Sequence, residues 1–198
     1  MRADIHDASH RDVGDILAIQ SQKIVVPEAL ERGTCIEQDG FLVYPVSDQD
    51  LRQLIANPAE HIIKVAQGGG IIAGYIISYD MRQWQMLRPD WLARARIEAN
   101  HVAFFQAKKM LYGRHIAIDD HTTIGSVGRD LLNATLQEGK NRGYDYFVVE
   151  VMRRPILNQR SIRFVESEGF ALIGSIGDRC HRDWLLYGID LKSWRSTD

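Results

Sequence analysis

The sequence has very little cysteine. Its only two cysteines, Cys35 and Cys180, lie far apart along a chain of 198 residues. They form neither the close spacing of a zinc site nor the framework of a disulfide-stapled domain. We therefore expect no bound metal and a reducing compartment, by default the cytoplasm.

Long apolar runs and an excess of one charge are also missing. No segment approaches ~18 consecutive apolar residues, and residues 1–6 carry no apolar signal segment, so we expect no membrane partner and a cytoplasmic protein. A net charge of −2 provides no general attraction to nucleic acid. With 45% hydrophobic residues, the chain is expected to form a single domain over residues 1–198.

Hydrophobic periodicity predicts a mixture of helices and strands, and hence a mixed α/β (α+β) fold. The triple glycine at 68–70 is best explained as the turn of a hairpin, and Gly74 is expected to mark a bulge. The predicted helices cover 9–22, a short stretch after Ser47, 90–108, 126–142 and 158–168. The predicted strands cover 61–66, 71–79, 112–118, 144–151, 171–174 and 184–191.

The join between the strand that ends at Ile118 and the helix that follows is typical of an anion site. Gly125 and Gly128 lie at the start of a stretch with helical spacing, which includes Leu131 and Leu136. The first turn of a helix leaves backbone N–H groups unpaired, and glycine allows a phosphate to approach them. An ordinary strand-to-helix connection is the alternative.

A second pattern, Asn158-x-x-Ser161-x-x-Phe164-x-x-x-x-Gly169-Phe170, follows an apolar run at 146–151. The two patterns in this order resemble the acetyl-CoA-binding half of the GNAT N-acetyltransferase superfamily. There, a strand leads to a loop of form [QR]-x-x-G-x-[GA], and a helix, a strand and the motif N-x-x-[SA]-x-x-[YF]-x-x-x-x-G-F follow. Residues 116–118 match the strand end, and residues 128–132 match the usual G-R-x-L-L exit of the loop.

Three positions depart from the family pattern. The usual Gln or Arg of the loop falls on Thr123, its first glycine falls on Ser126, and the aromatic position, often Tyr, is Phe164. The resemblance implies a central twisted mixed sheet of about six or seven strands flanked by helices, whose fourth strand splays away from the fifth. It also implies that acetyl-CoA, or coenzyme A, is the co-substrate.

The resemblance assigns a role to each matched residue. The main chain of Ile116, Ala117 and Ile118 would bind the pantetheine arm and the thioester oxygen. The loop would hold the pyrophosphate, with Arg129 adding charge. The loop residues concerned are Thr123, Ile124, Gly125, Ser126, Val127, Gly128 and Arg129, and the residues expected to border the cofactor are Asn158, Ser161 and Phe164.

The catalytic residues are harder to place. Strand alternation predicts that 112, 114, 116 and 118 share one face and that His115 points to the other. The candidates are Tyr112, at a position where the family often has a base, and His115, with an intrinsic pKa of ~6.5. A water relay to Glu150 is an alternative. Because Phe164 has no hydroxyl, Tyr112 and Tyr187 are the candidates for protonating the leaving thiolate.

These patterns predict an enzyme that moves an acetyl group from acetyl-CoA to a primary amine by direct attack on the thioester. The amine could belong to a small molecule or to a protein, and a homodimer is possible. One alternative is a GNAT-fold protein that binds acyl-CoA with little or no turnover and regulates a partner. Another is a nucleotide- or phosphate-binding domain, although no G-x-G-x-x-G motif is present.

Overall fold

The fold is a single eight-stranded sheet with helices on both faces, seen in a computed structural model that describes residues 2–27, 39–87, 89–90, 94–97, 109–177 and 181–196. The strands are β1 (Asp4–Asp7), β2 (His61–Gly68), β3 (Ile71–Asp80), β4 (Ala95–Ile97), β5 (Met110–Ile118), β6 (Tyr146–Arg154), β7 (Ala171–Gly177) and β8 (Asp183–Asp190). The helices are α1 (Val13–Lys23), α2 (Asp48–Ala56), α3 (Met81–Leu87), α4 (Val127–Asn141) and α5 (Gln159–Ser167).

The strands lie in the order β1–β2–β3–β5–β6–β8–β7–β4, and only β5 and β6 run parallel. The mixed α+β class is confirmed, while the sheet has more strands than the six or seven expected. Within the described residues, no helix has both the length and the apolar character needed to cross a membrane.

Two hydrophobic clusters cover the two faces of the sheet. On one face, α1 and α2 contribute Val13, Ile16 and Leu51 to a cluster that includes Ile77 and Val148. On the other, α4 contributes apolar residues such as Leu131 and Leu136, which pack with Ile62, Ile76 and Phe147. The sheet is therefore buried on both sides, which explains the nearly continuous apolar sequence of β3.

The predicted hairpin is confirmed, with Gly69 and Gly70 at positive φ in its turn. The bulge expected at Gly74 is also present. Gly74 pairs with Ala66, but the next residue of the facing strand, Gln67, pairs with Ile72, so β3 has one extra residue beside Gly74. A Cβ atom on Gly74 would lie 2.8 Å from the carbonyl oxygen of Ala117, so only glycine allows β3 and β5 to approach so closely.

The predicted helix 126–142 is confirmed as α4, which is followed by Gly143 at positive φ. The first helix starts later than expected. Ser9 and Asp12 bond to each other, with the Ser9 amide donating to Asp12 Oδ2 at 2.7 Å, and α1 begins only at Val13. The short helix predicted after Ser47 is confirmed as α2, and Ser47 caps it by accepting a hydrogen bond from the Asp50 amide.

The helix predicted over 90–108 is wrong at Ala95–Ile97. These residues form β4, which pairs antiparallel with β7. A Cβ atom added to Gly174 would lie 2.3 Å from the Arg96 carbonyl oxygen, so only a glycine on β7 allows the edge strand to approach this closely. Residues 91–93 and 98–108 of the predicted helix lie outside the described residues. A helix at Met81–Leu87, directly after β3, was not predicted.

Candidate active site

The central feature of the site is a gap between the two parallel strands. β5 and β6 pair only from Met110↔Tyr146 to Gly113↔Val149, whereas β5 stays paired with β3 as far as Ile118. Beyond Gly113 the two strands therefore separate and leave a wedge-shaped cleft. The splay implied by the sequence resemblance is confirmed.

A bulge at Arg114 changes which side chains of β5 face which way. Ile77 pairs with His115 and Ser78 with Gly113, which leaves Arg114 without an opposite residue. Tyr112 consequently lies on the α1 face, and His115 bonds to Tyr44 and meets Tyr75 on that same side. The predicted arrangement, with His115 opposite Tyr112, was wrong because simple alternation does not hold across a bulge. Ile116 and Ile118 face the α4 side instead.

The main chain of β5 offers donors to the cleft. The amide of Asp119 donates to the carbonyl of Ala73 on β3 at 2.9 Å. Because successive amides of a strand point in opposite directions, those of Ile116 and Ile118 point away from β3, toward the side where β6 has separated. This is the geometry expected of a backbone that binds an extended ligand.

The outer part of the cleft, about 760 Å³, lies between the end of β5, the loop 119–126 and α5. Most of the predicted loop residues line it: Ile124, Gly125, Ser126, Val127, Gly128 and Arg129. Thr123 is exposed and does not; its neighbour Thr122 lines the cleft instead. The contact between Thr123 and the cofactor therefore stays a prediction, and Thr122 is the threonine that lines the cleft.

The N-terminus of α4 opens into this outer cleft. The first helical hydrogen bond runs from the Asp130 amide to the Ser126 carbonyl, so the amides of Val127, Gly128 and Arg129 have no helical partner. Ser126 has φ 62°, in the left-handed region. This is the position where the family pattern places a glycine, and the backbone conformation explains that preference.

Charged side chains line the outer cleft as well. Arg129, predicted to add positive charge, instead donates its Nε to Glu168 Oε1 at 2.8 Å. Lys23 pairs with Asp120. Arg160 also lines the cleft, and no carboxylate within the described part of the chain pairs with it.

Asn158 at the start of α5 performs two structural tasks. Its side-chain oxygen accepts from the Ser161 amide at 3.2 Å, which caps the helix. Its Nδ2 donates to the carbonyl of Phe41 at 2.9 Å, which ties the segment 41–44 to the helix. Ser161 and Phe164 line both the outer cleft and an inner cavity, so they lie at the junction of the two.

The inner cavity, about 110 Å³, continues from the cleft into the protein and is lined mainly by aromatic and aliphatic side chains. Trp84 stacks on Tyr112 with ring centres 4.4 Å apart, and Tyr44 stacks on Trp184 at 5.7 Å. The sequence did not place Tyr44 or Trp184 here, and for the segment 80–110, which contains Trp84, a wall of the acceptor pocket was the alternative to plain packing. Tyr44, Trp84 and Trp184 come from three distant segments, and no local pattern relates them.

His115 lines the inner cavity and is buried. Its Nε2 lies 2.8 Å from the carbonyl oxygen of Tyr44, which can only accept, so Nε2 carries the proton. Nδ1 meets no hydrogen-bond partner among the described residues. Burial first, and then the positive charge of Arg114, lowers the pKa of His115 to about 3. The imidazole is therefore neutral at physiological pH.

The other predicted acid–base candidates separate into two groups. Tyr112 and Glu150 line the inner cavity together with His115. Tyr187 does not, because its hydroxyl donates to Glu166 at 2.9 Å on the α5 side, and its pKa is raised to about 12 by burial and by that carboxylate.

Solved structures show the same architecture. The YncA protein of Salmonella typhimurium, solved with its cofactor acetyl-CoA, is 15% identical over 100% of this chain and 99% of its own, with a TM-score of 0.64. A ribosomal-protein-alanine N-acetyltransferase from Brucella melitensis is 18% identical over 94% of this chain and 99% of its own, with a TM-score of 0.58. An agmatine N-acetyltransferase is 13% identical over 96% of this chain and 100% of its own, with a TM-score of 0.63. This chain has the GNAT fold.

The GNAT-fold proteins above differ in the acceptors that they are named for, one a protein and one a small amine. Identities below 25% establish the shared fold and carry no substrate with them. No protein-family model matches the sequence, and a search of curated proteins found no match.

Proposed function

We propose that this protein is an N-acetyltransferase of the GNAT family that moves an acetyl group from acetyl-CoA to a primary amine. One observation supports the proposal most strongly. A cleft between separated parallel strands leads from the N-terminus of α4 to a smaller cavity lined by aromatic and aliphatic side chains. The outer end suits a phosphate-bearing ligand, and the inner end suits a small reacting group.

The chain's own groups fit coenzyme A. The unpaired amides of Val127, Gly128 and Arg129, together with the guanidinium of Arg160, would bind phosphate oxygens. The amides of Ile116 and Ile118 would bond the extended pantetheine arm and polarise the thioester oxygen. When bound, acetyl-CoA supplies the activated acyl group.

The amine must lose a proton to a base. Glu150 is the carboxylate that lines the inner cavity, and we assign it this role through a water molecule. His115 is a poor proton acceptor because protonation of its imidazole is opposed by burial and by Arg114. In our proposal His115 positions the wall of the cavity through Tyr44, and a catalytic contribution from Tyr112 or His115 stays a prediction.

The reaction balances without a further cofactor. The amine nitrogen forms a C–N bond with the acyl carbon as the C–S bond breaks, and the electron pair of that bond leaves on sulfur. The proton of the amine passes to water and Glu150. A coenzyme A thiol is acidic enough to leave without a side-chain acid, which is compatible with Phe164 at the position where the family often has Tyr.

Incubation of the purified protein with acetyl-CoA and a panel of primary amines tests this function. We expect amine-dependent release of thiol and a matching N-acetylated product by mass spectrometry. Glu150→Gln should lower kcat by about 10²- to 10⁴-fold with unchanged affinity for coenzyme A. Thiol release that does not depend on any amine would contradict the proposal.

A second candidate is a GNAT-fold protein that binds acyl-CoA without turnover. Two observations favour it: Phe164 offers no proton to a leaving thiolate, and His115 is neutral and buried. The same assay separates the two functions. Tight coenzyme A binding without an acetylated product from any amine would support the binding protein.

A further inference from the structure

Arg114, the bulged residue of β5, has a side chain that lines the inner cavity. Its guanidinium donates from Nη1 to the Tyr79 hydroxyl at 3.0 Å. From Nη2 it donates to the Pro45 carbonyl at 3.1 Å and, at 3.5 Å, to the Tyr44 carbonyl. All of these acceptors are uncharged, and they hold the group against the aromatic wall of the cavity.

Arg114 therefore carries a partly buried positive charge that has no counterion among the described residues. No carboxylate among the described residues lies within salt-bridge distance of it, and its Nε is buried with no hydrogen-bond partner in that part of the chain. A buried cation that lacks an ion pair and an unsatisfied N–H group both cost free energy. A ligand that brings a carboxylate would remove both costs.

A second cation lies near the cavity. The guanidinium of Arg182 lies 5.3 Å from the ring centre of Tyr44, on the same wall of the cavity. The guanidinium of Arg114 lies 6.0 Å from the ring centre of Trp84. Glu150 lines the cavity with the opposite charge. The cavity thus offers a cation for an anionic group and an anion for an amine.

We propose that the acceptor is a small amine that carries a carboxylate, such as an α-amino acid, and that Arg114 binds this carboxylate. The proposal rests on the acetyl transfer proposed above and narrows its acceptor. The aromatic and apolar walls around Trp84, Trp184 and Met152 suit an uncharged side chain. Protein N-termini are not this substrate, because the carboxyl group of their first residue is in a peptide bond.

The test compares amino acids with the amines that they become when the carboxylate is removed. Suitable pairs are leucine with 3-methylbutylamine and phenylalanine with 2-phenylethylamine. The ratio of kcat/KM within each pair is measured for the wild type and for Arg114→Gln, which removes the positive charge. Dividing the wild-type ratio by the mutant ratio cancels the intrinsic reactivity of each amine.

We expect this quotient to be about 10 to 100, the usual effect of one charge-assisted hydrogen-bonded contact. Arg114→Lys should give an intermediate value because it keeps the charge but not the planar guanidinium. Arg153→Gln is the matched control. Arg153 bonds Asp183 at 2.9 Å and lies outside the cavity lining, so its quotient should be near one.

The outcomes distinguish this inference from the proposed function. Acetylation of both members of each pair with a quotient near one would overturn the role of Arg114 and leave acetyl transfer standing. If no amine is acetylated, 3-phenylpropionate, which has the carboxylate and no amine, still serves as a probe. It should raise the melting temperature of the wild type in the presence of coenzyme A, and equal stabilisation of Arg114→Gln would overturn the inference.

Discussion

Ser126 and His181 are the two described non-glycine residues with positive φ, and Ser126 is the one that lines the candidate site. It has φ 62° immediately before α4, and a side chain in the left-handed region costs roughly 1–2 kcal/mol. Its hydroxyl donates to Asp130 Oδ2 at 2.9 Å. This hydrogen bond lies on the protein surface, so it offsets little of the backbone strain. The same turn directs the amides at the start of α4 into the cleft.

We predict that Ser126→Gly raises the free energy of unfolding by about 1 kcal/mol, because glycine adopts this conformation without strain. Chemical denaturation measures the change. Ser21→Gly, inside α1, is the matched control and should instead lower stability by about 0.5 kcal/mol through its poor helix propensity. A loss of stability in both variants would contradict the strain at position 126.

His115 should make folding sensitive to acid. Its folded pKa of about 3 lies below its ordinary value of 6.5, so between these values the unfolded chain binds a proton that the folded chain does not. The stabilisation is complete above pH 6.5 and is lost progressively as the pH falls toward 3.

His115→Gln keeps a donor for the Tyr44 carbonyl and has no proton to gain. Between pH 7 and pH 5 the wild type should lose about 2 kcal/mol more stability than this variant. Some acid dependence should remain, because burial also lowers the pKa of His61. Equal losses in both proteins, measured by urea unfolding at the two pH values, would show that His115 is accessible to protons in the folded state.

At the scale of elements, α5 holds the segment 41–44 in place. Asn158 caps the helix with its oxygen and binds the Phe41 carbonyl with its nitrogen, and Phe41 and Tyr44 both line the inner cavity. The cap and the tether can be separated experimentally, because serine supplies an oxygen for the cap but cannot reach the carbonyl.

We predict that Asn158→Ala lowers stability by about 2 kcal/mol and Asn158→Ser by about half as much. Both variants should raise KM for the amine by a similar factor, because both release the cavity wall. Thermal denaturation and steady-state kinetics provide the two readouts. A wild-type KM in Asn158→Ser would mean that the tether does not shape the amine site.

Phe164 on the same helix lies at the junction of the cleft and the inner cavity and is only partly buried. Phe164→Tyr should change stability by less than about 0.5 kcal/mol, because its hydroxyl can face the cleft. Phe147→Tyr is the contrasting control. The Cζ atom of Phe147 would lie 2.6 Å from a Cβ on Gly113, and a buried hydroxyl there should cost roughly 1–3 kcal/mol.

Thiol release is followed in both tyrosine variants. A large loss of stability in Phe164→Tyr without any gain in rate would contradict the placement of residue 164 beside the cofactor. It would also put the register of the whole Asn158–Phe170 motif in doubt.

Elements with strong local signals could be predicted from the sequence. The glycines at 69, 70 and 143 mark real positive-φ turns, and the spacing of Leu131 and Leu136 gives the buried face of α4. The unusual backbone of Ser126 could be suspected because the residue stands where the family pattern has a glycine. Local backbone preference and periodicity determine these features, so a single sequence carries them.

The remaining features depend on contacts between distant segments. The bulge at Arg114 arises from the register with β3, and the strand Ala95–Ile97 exists because β7 offers an edge. The inner cavity collects Tyr44, Trp84 and Trp184 from three parts of the chain. Periodicity within one segment contains no information about such partners.

At the scale of the whole molecule, the separation of β5 from β6 converts a continuous sheet into a binding cleft. Pairing ends at Gly113↔Val149, and the amides of Ile116 and Ile118, Arg114 and Glu150 all lie beyond that point. The claim on which all the others rest is that this cleft binds coenzyme A with its phosphate end at the N-terminus of α4.

Calorimetric titration of coenzyme A into the wild type, Gly128→Val and Gly14→Val tests that claim most directly. A side chain at 128 would lie beside Phe164 and Ile118 within the cleft, whereas at position 14 no atom lies within 4 Å of the added Cβ. We expect Gly128→Val to weaken binding about tenfold or more, and Gly14→Val to bind as the wild type does. No binding to the wild type, or equal affinity in a folded Gly128→Val, would contradict the account.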